Sequence, residues 1–416
     1  MATRLPERQI EWRRPTVRPQ RPRVLLTLAL LAAAMPLRLP APVVGTISLL
    51  DMVLIVAAAS LLLDLPFRRL EAGPRTLLLL LAIPLVASVV AVGWSQDRGA
   101  TVGVCLVSIE ALVAYLLVMR ELEGLPSRRI IRYIEWFTVL LILPAVFLLL
   151  GVPGFEVREA GLTESSGDYF SYFTRLSHPV LGRSNNLATV LVIFLPVLLW
   201  WGHVHRRGSA TFVGITGVVA VAATQSRGVL LAAVISLVLY AMVRPLPTTR
   251  GRPVLLTVLM SAAAVVIGGT VLYLFNPPTQ SFATGRFSPE NVELRGQLVE
   301  TAFGFIQQRP WLGWGPGAVP QGDSMLVVDV HNTYVQQLLS FGVPLGLVVG
   351  ACLLALPVWF FIRSHQTPVA GAVSLAVLIE VLSFAFESSY EGVVLRVIFY
   401  LSLGLLAALV EAAEDG

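Results

Sequence analysis

The chain is organised around two stretches, Arg309-Pro-Trp-Leu-Gly-Trp-Gly-Pro-Gly317 and His331-Asn-Thr-Tyr-Val-Gln-Gln-Leu-Leu-Ser-Phe-Gly342. Both belong to residues 275–342, the longest segment that is too polar to cross a membrane, and strongly apolar segments flank it. Arginines, glycines and a histidine are concentrated there in an otherwise apolar chain. We therefore expect the chemistry of the protein in this segment.

The composition predicts an all-α polytopic membrane protein. Of the 416 residues, 56% are hydrophobic and 13% are charged, whereas about 25% of the residues of a soluble domain are charged. Apolar runs of about 20 residues recur, and each is long enough to cross a hydrocarbon core about 30 Å thick. Twelve spans are predicted: 24–37, 43–65, 75–94, 100–119, 130–151, 184–201, 209–225, 228–243, 253–275, 342–362, 368–387 and 393–410.

The distribution of arginine predicts the orientation of these spans. All 30 basic side chains are arginine, and positively charged loops are retained in the cytoplasm. Alternate loops collect the arginines, so both termini are expected to be cytoplasmic and the long loops 152–183 and 276–341 to face outward. We divide the chain into a disordered cytoplasmic tail (1–23), one transmembrane domain (24–410) and a cytoplasmic acidic tail (411–416).

Several function classes are disfavoured. The arginines are spread over short loops and do not form one face, which argues against nucleic-acid binding. The glycine-rich turn lacks the strand and spacing of a nucleotide fingerprint, so we interpret it as a tight turn. Cys105 and Cys352 fall in apolar spans and are interpreted as packing residues. The five histidines are not clustered at metal-ligand spacing, and His203 and His205 are expected to be solvated.

The outward loop 276–341 is predicted to contain two short amphipathic helices. Ser288 and Pro289 are a capping residue and a first helical residue, and this helix should run to about Arg309. A second helix is predicted from Val330 to Phe341, with Asp329 as its cap. His331 would then lie in a first helical turn, whose positive end keeps an imidazole neutral and able to accept a proton.

Arginine and histidine in these positions suggest a diphosphate site with a general base. The guanidinium group matches phosphate oxygens and remains charged at any working pH. Four outward arginines suit this role, with lipid headgroups or loop carboxylates as alternative partners: Arg183, Arg227, Arg286 and Arg295. For Arg175 and Arg309 the alternative is favoured. His331 would remove a proton from a sugar hydroxyl, or it would be a structural residue at its helix end.

These motifs resemble the O-antigen ligase and polymerase superfamily. The resemblance rests on the two stretches quoted above and on three shorter motifs: Arg295-Gly-Gln-Leu, Ser226-Arg227-Gly228 and Gly182-Arg183-Ser184-Asn185-Asn186-Leu187-Ala188. It implies a metal-independent membrane glycosyltransferase without a cofactor, which takes a glycan from undecaprenyl diphosphate at the outer side of the bacterial inner membrane. By this resemblance His331 is the catalytic base, and Arg183, Arg227, Arg286 and Arg295 bind the diphosphate.

The resemblance leaves the acceptor open. In ligases it is the sugar core of lipid A, and in relatives it is a growing glycan or a protein hydroxyl; we favour ligation, with polymerisation next. A membrane solute transporter is an alternative from another class. Transporters place ionisable residues near the bilayer midplane, and here the spans hold few of them: Asp51, Glu110, Glu135 and Glu380.

Overall fold

The computed structural model describes residues 24–34, 38–41, 45–64, 72–150, 152, 181, 184–224, 226–243, 289–318, 330, 332–364, 367–386 and 393–414. These residues form a bundle of helices. Their bounds are α1 Val24–Ala34, α2 Leu49–Asp64, α3 Ala72–Ala91, α4 Arg98–Leu122, α5 Ser127–Leu149, α6 Ser184–Val192, α7 Leu195–Val204, α8 Gly208–Thr224, α9 Arg227–Val243, α10 Pro289–Gln308, α11 Thr333–Arg363, α12 Pro368–Ser383 and α13 Val393–Glu414.

The helices confirm a multi-pass helical membrane protein. Within the described residues, six helical segments are long and apolar enough to cross a membrane, and α6 and α7 together form one of them. Five further apolar helices, α1, α2, α8, α9 and α12, are shorter. They coincide with predicted spans, so eleven of the twelve predictions match a described helix. The remaining one, 253–275, lies outside the described residues, as do the tail 1–23 and nearly all of loop 152–183.

Two details differ from the prediction. A small antiparallel hairpin joins α1 to α2, with β1 at Arg38–Ala41 and β2 at Gly45–Ser48, so the described fold is not purely α-helical. At the other end of the chain, α13 continues through Glu414. Most of the segment 411–416 that the sequence set apart as an acidic tail is therefore the last turn of a helix.

The centre of the bundle consists of α7, α12 and α13, whose side chains are almost all buried. Small residues permit close helix packing here, as is common in membranes. A Cβ atom at Gly202 would overlap Thr211, one at Gly214 would touch Leu199, and one at Gly217 would overlap Leu195. As residue numbers rise in α8 they fall in α7, so these two helices are antiparallel.

The same reasoning orients the other helices. Arg396 of α13 bonds Ser108 of α4, and Gly404 lies against Val118, so α4 and α13 are parallel. A short turn joins α4 to α5. The first turns of α5 meet the start of α8, where the Ser209 hydroxyl donates to Glu135. One end of the bundle therefore holds the end of α4 and the starts of α5 and α8.

Most of the described arginines lie at this end, which we call the basic end. They come from several different connections: Arg75, Arg120, Arg128, Arg129, Arg132, Arg206, Arg207 and Arg363. Helices α11 and α13 also finish there, held together by Arg363. Its guanidinium group bonds Glu411 and lies 2.8 Å from the Glu414 carboxylate, and it lies 4.9 Å from the Trp359 ring centre.

We expect Arg363→Gln to lower the thermal unfolding midpoint of the purified protein in detergent. The substitution leaves two half-buried carboxylates at one helix end without their cation, which costs about 2 kcal/mol for charged hydrogen bonds of this kind. Arg132→Gln is the control because Arg132 is exposed at the same end. Equal midpoints for the two variants would contradict the role of Arg363.

Candidate functional site

Helix α11 is broken at Gly342 and folds back on itself. Gly342 has φ 76° and ψ 171°, a conformation that is essentially restricted to glycine. In one straight helix, residues 337 and 346 would be about 13 Å apart. Instead, a Cβ atom at Gly346 would lie 2.7 Å from the Gln337 carbonyl oxygen, and one at Gly350 would lie 3.4 Å from the Tyr334 ring. The segment 333–341 therefore packs against the segment 343–363.

The break deprives two carbonyl groups of their helical donors. In a continuous helix Leu339 and Ser340 would accept from residues 343 and 344, but Pro344 has no N–H and the Val343 N–H donates to Pro310, at 2.7 Å. The turn 309–318 supplies the replacements. The Trp314 N–H donates to Leu339 at 3.0 Å, and the Gly315 N–H donates to Ser340 at 2.8 Å.

The glycines of this turn are required by close packing. Gly313, Gly315 and Gly317 have φ between 65° and 98°. A Cβ atom at Gly313 would lie 2.4 Å from the Gly342 nitrogen, and one at Gly315 would lie 2.1 Å from the Ser95 hydroxyl. The predicted tight turn is therefore confirmed, and its function is to cap the broken helix.

The turn is also bonded to the connection between α3 and α4. The Trp94 indole N–H donates to the Leu312 carbonyl. The Gln96 backbone N–H donates to the Trp314 carbonyl at 3.2 Å. The Thr101 hydroxyl donates to Pro316 at 2.9 Å. Three separate parts of the chain are thus joined at the end of the bundle opposite the basic end. We call it the glycine-turn end.

Helix α10 packs beside the turn, close to its predicted position. Leu298, Ala302 and Ile306 are buried, and the last two share a small core with Trp314 and Val335. The Arg309 guanidinium carbon lies 4.8 Å from the Trp314 ring centre. Arg309 therefore stacks on an aromatic ring, and contact with a lipid headgroup or a loop carboxylate stays a prediction.

The start of α11 corrects the predicted second helix. The N-cap is Asn332, whose side chain accepts from the Val335 N–H at 3.1 Å, and Asp329 lies outside the described residues. The helix begins at Thr333, so His331 precedes the cap and does not belong to the first helical turn. The prediction was wrong because Asp and Asn are equally good caps, and local sequence could not choose between them.

The last turn of α12 receives the start of α11. The Thr333 N–H donates to the Phe384 carbonyl at 2.8 Å, and the Tyr334 hydroxyl donates to that of Val381 at 2.8 Å. Deeper in the bundle, the Ser374 hydroxyl donates to Pro357 at 2.9 Å. These bonds hold the start of α11 inside the bundle, farther from the glycine-turn end than the reversal at Gly342. In the sequence, position 331 directly precedes the N-cap of this helix.

Two other predicted motifs lie at helix starts of the glycine-turn end. Because α7 and α8 are antiparallel, the end of α8 is level with the start of α6. Arg227 opens α9 just beyond α8 and is exposed, whereas the preceding Ser226 is fully buried. The start of α6 directly follows Arg183. Three helix N-termini, those of α6, α9 and α11, thus lie at one end of the bundle, each at a sequence motif that was singled out above.

Two of the five predicted site residues lie among the described residues. Arg227 is at the glycine-turn end, and the backbone of Arg295 lies in α10, which packs beside the turn. The other three lie outside the described residues: Arg183, Arg286 and His331. Their assignment to a diphosphate site and a general base remains a prediction.

Two buried ionisable residues, Arg396 and Glu380, lie in the helices near the glycine-turn end. Arg396, 3% exposed, follows the start of α13 by one turn and donates to the Ser108 hydroxyl at 2.9 Å. Its isolated position in an apolar span was a signal that sequence reasoning missed. Glu380 of α12 is 2% exposed, and its Oε2 has no hydrogen-bond partner among the described residues.

Two of the acidic residues that would have suited a transporter have structural partners. Asp51 accepts from the Ser48 N–H at 2.8 Å while its own N–H donates to the Ser48 hydroxyl at 3.1 Å, a reciprocal cap of α2. Glu135 lies 3.5 Å from Arg207. These contacts stabilise helix ends, and they weaken the argument that these charges line a transport path.

The fold and this end of it define a polytopic helical membrane protein in which a glycine-rich turn caps a broken helix beside several helix N-termini. A family model described as O-antigen ligase matches residues 211–350. The match includes Arg227, Arg295, the glycine turn and His331, and it confirms the resemblance to the O-antigen ligase superfamily that the motifs predicted. The matched family implies a membrane enzyme of glycosyltransferase type. No curated protein matches the chain.

We expect Gly342→Ala to destabilise the protein by more than about 2 kcal/mol, because the backbone conformation is strained for any other residue and the new Cβ would overlap the Trp311 backbone. Gly304→Ala in α10 is the matched control. Its Cβ would meet nothing within 4 Å, and alanine in a helix is favoured over glycine by about 1 kcal/mol. Thermal unfolding in detergent measures both, and equal midpoints would contradict the capping role of the turn.

Proposed function

We propose that the protein transfers a glycan from undecaprenyl diphosphate to an acceptor hydroxyl at the glycine-turn end, without a metal ion or another cofactor. The favoured reaction is that of an O-antigen ligase, with the sugar core of lipid A as acceptor. The observation that carries the proposal is the gathering of the starts of α6, α9 and α11 at one end. Each start adjoins a motif that sequence alone had connected with this chemistry.

Helix N-termini suit a diphosphate for a physical reason. The aligned peptide dipoles give each helix start about half a positive charge, so anions bind near it readily. Arg227 at the first position of α9 adds a charged fork of donors to one such terminus. Arg183 and Arg295 would add to the same positive field, and Arg286 would complete the set. The leaving group would then depart with its negative charge already balanced.

The proposed reaction is a single displacement. The acceptor oxygen attacks the anomeric carbon and forms a new C–O bond, while the bond from that carbon to the diphosphate oxygen breaks. The electron pair of the broken bond leaves with undecaprenyl diphosphate, and the hydroxyl proton passes to the imidazole of His331. Attack from the side opposite the leaving group inverts the anomeric carbon.

The proposed topology follows the arginines. The basic end carries eight described arginines from separate connections, which supports a cytoplasmic location for it and for both termini. The chain would cross the bacterial inner membrane twelve times, and the glycine-turn end would face its outer side. Substrate lipids would reach it from the outer leaflet, with the undecaprenyl chain between helices.

Substitution of His331 tests the base. We expect His331→Gln to reduce glycan transfer in purified protein about 10²–10⁴-fold, as for other general bases, with no change in the unfolding midpoint. Arg132→Gln, at the opposite end, should transfer at the wild-type rate. If His331→Gln retained wild-type transfer, the assignment of the base would be wrong.

Substitution of Arg227 tests the diphosphate site separately. We expect Arg227→Gln to lower kcat/KM for the lipid-linked donor at least about tenfold, since a charged hydrogen bond contributes about 1.5–3 kcal/mol. Arg227→Lys should restore part of the loss, because lysine keeps the positive charge but lacks the planar pair of N–H donors of a guanidinium group. Equal activity of Gln and Lys variants would argue against direct contact with phosphate.

The accumulating product separates the reaction types. A ligase deletion leaves polymerised glycan on its lipid carrier, whereas a polymerase deletion leaves single repeat units there. Either pattern with loss of transfer supports a glycosyltransferase. Uptake of a solute by reconstituted protein, with no glycan transfer, would instead support the transporter alternative.

A further inference from the structure

At the basic end, one corner is built from two elements. We use the name basic corner for Arg128, Arg129 and Arg132 of α5 together with Arg206 and Arg207 of the turn between α7 and α8. The Arg207 guanidinium donates to the Arg128 carbonyl at 3.3 Å. The two groups of arginines are therefore adjacent in space although they are far apart in sequence.

The positive charge of this corner is not balanced within the described residues. Glu135, the carboxylate that contacts this corner, is buried and already engaged by Arg207 at 3.5 Å and by the Ser209 hydroxyl at 3.1 Å. The remaining four arginines are exposed, and no described carboxylate pairs with them. Like charges held this close repel one another, so a bound anion would stabilise the corner.

The backbone of the turn holds the charges in place. Arg206 has φ 50°, and among the described residues it is the one non-glycine with a positive φ. The Arg207 N–H donates to the Gly202 carbonyl at 2.9 Å. Next to it, the His205 ring lies 4.0 Å from that of Trp201. Burial first, and then the charge of Arg128, lower the pKa of His205, so it adds little positive charge at neutral pH.

The arginines stand above an apolar stripe that faces outward from the bundle. Arg129, Arg132, Trp136 and Leu143 share one side of α5 by helical periodicity. Trp136 is 67% exposed and Leu143 is 37% exposed. Exposed tryptophan one turn from arginine is typical of the boundary between headgroups and acyl chains. The side of α5 that carries the charges is therefore also the side that faces lipid.

We propose that the basic corner is a binding site for one anionic phospholipid, whose phosphate contacts Arg129 and Arg132 and whose acyl chain lies along Trp136 and Leu143. A guanidinium group binds phosphate oxygens through a planar pair of donors. The bilayer supplies such phosphates at this level whichever leaflet the basic end occupies. The site is independent of the reaction at the opposite end.

The test compares phosphatidylglycerol with phosphatidylcholine on the full-length protein in detergent. Native mass spectrometry should show preferential retention of phosphatidylglycerol, and each arginine should contribute about fivefold near a membrane surface. Arg129→Gln/Arg132→Gln should lose most of this preference. Arg98→Gln, an exposed arginine at the glycine-turn end, should keep it. Equal retention of both lipids by the wild type would overturn the proposal, and so would an unchanged preference in the double variant.

A second measurement needs no arginine variant. Phosphatidylglycerol with brominated acyl chains quenches tryptophan at short range, and Trp136 is one of 8 tryptophans. Trp136→Phe should therefore remove a distinct part of the quenching seen at low lipid ratios, and brominated phosphatidylcholine should not produce that part. If Trp136→Phe left the quenching unchanged, no acyl chain would lie there. Inorganic phosphate should leave the lipid-dependent quenching in place, because the proposed site also needs the acyl chain. If phosphate abolished this quenching, the corner would be a simple anion site and the proposal would be wrong.

Discussion

The capped break at Gly342 is the constraint on which the glycine-turn end of this protein depends. The residues 339–342 around the break are buried, and a buried N–H or C=O group needs a hydrogen-bond partner. The reversal of α11 removes the helical donors of Leu339 and Ser340. The turn 309–318 restores them with its own N–H groups, and this exchange ties α10, α11 and the connection between α3 and α4 into one unit.

This arrangement has a consequence for function. Because 333–341 folds back on 343–363, the start of α11 is directed into the bundle and meets the last turn of α12. The dipole of a helix start is then available inside the protein and not only at its surface. Together with the starts of α6 and α9, it gives this end a positive potential from backbone geometry, to which Arg227 adds a full charge. The opposite end gathers exposed arginines beside the exposed Trp136, so we propose anions of different kinds for the two ends.

The sequence predicted the elements better than their arrangement. Eleven apolar runs located twelve described helices, because one run covers both α6 and α7. A capping residue followed by proline located the first residue of α10, Pro289. Helix ends were less certain where two capping residues were close together, as at Asp329 and Asn332. The fold-back of α11 was not predicted, because Gly342 and Pro344 indicate that a helix stops but not in which direction the chain continues. Arg396 was missed because one arginine hardly changes the hydropathy of a long apolar run.

By itself, the sequence determined that this is a helical membrane protein, since membrane solubility depends on composition and run length. It also indicated the resemblance to O-antigen ligases, since the motifs lie in short contiguous stretches. It also identified the helix starts at Arg227 and after Arg183. Only the tertiary structure decided that these starts and that of α11 share one end, and that five arginines from distant segments form one corner. The reason is physical: helix packing and the pairing of buried backbone groups act between segments far apart in the chain, and local sequence carries no record of those distances.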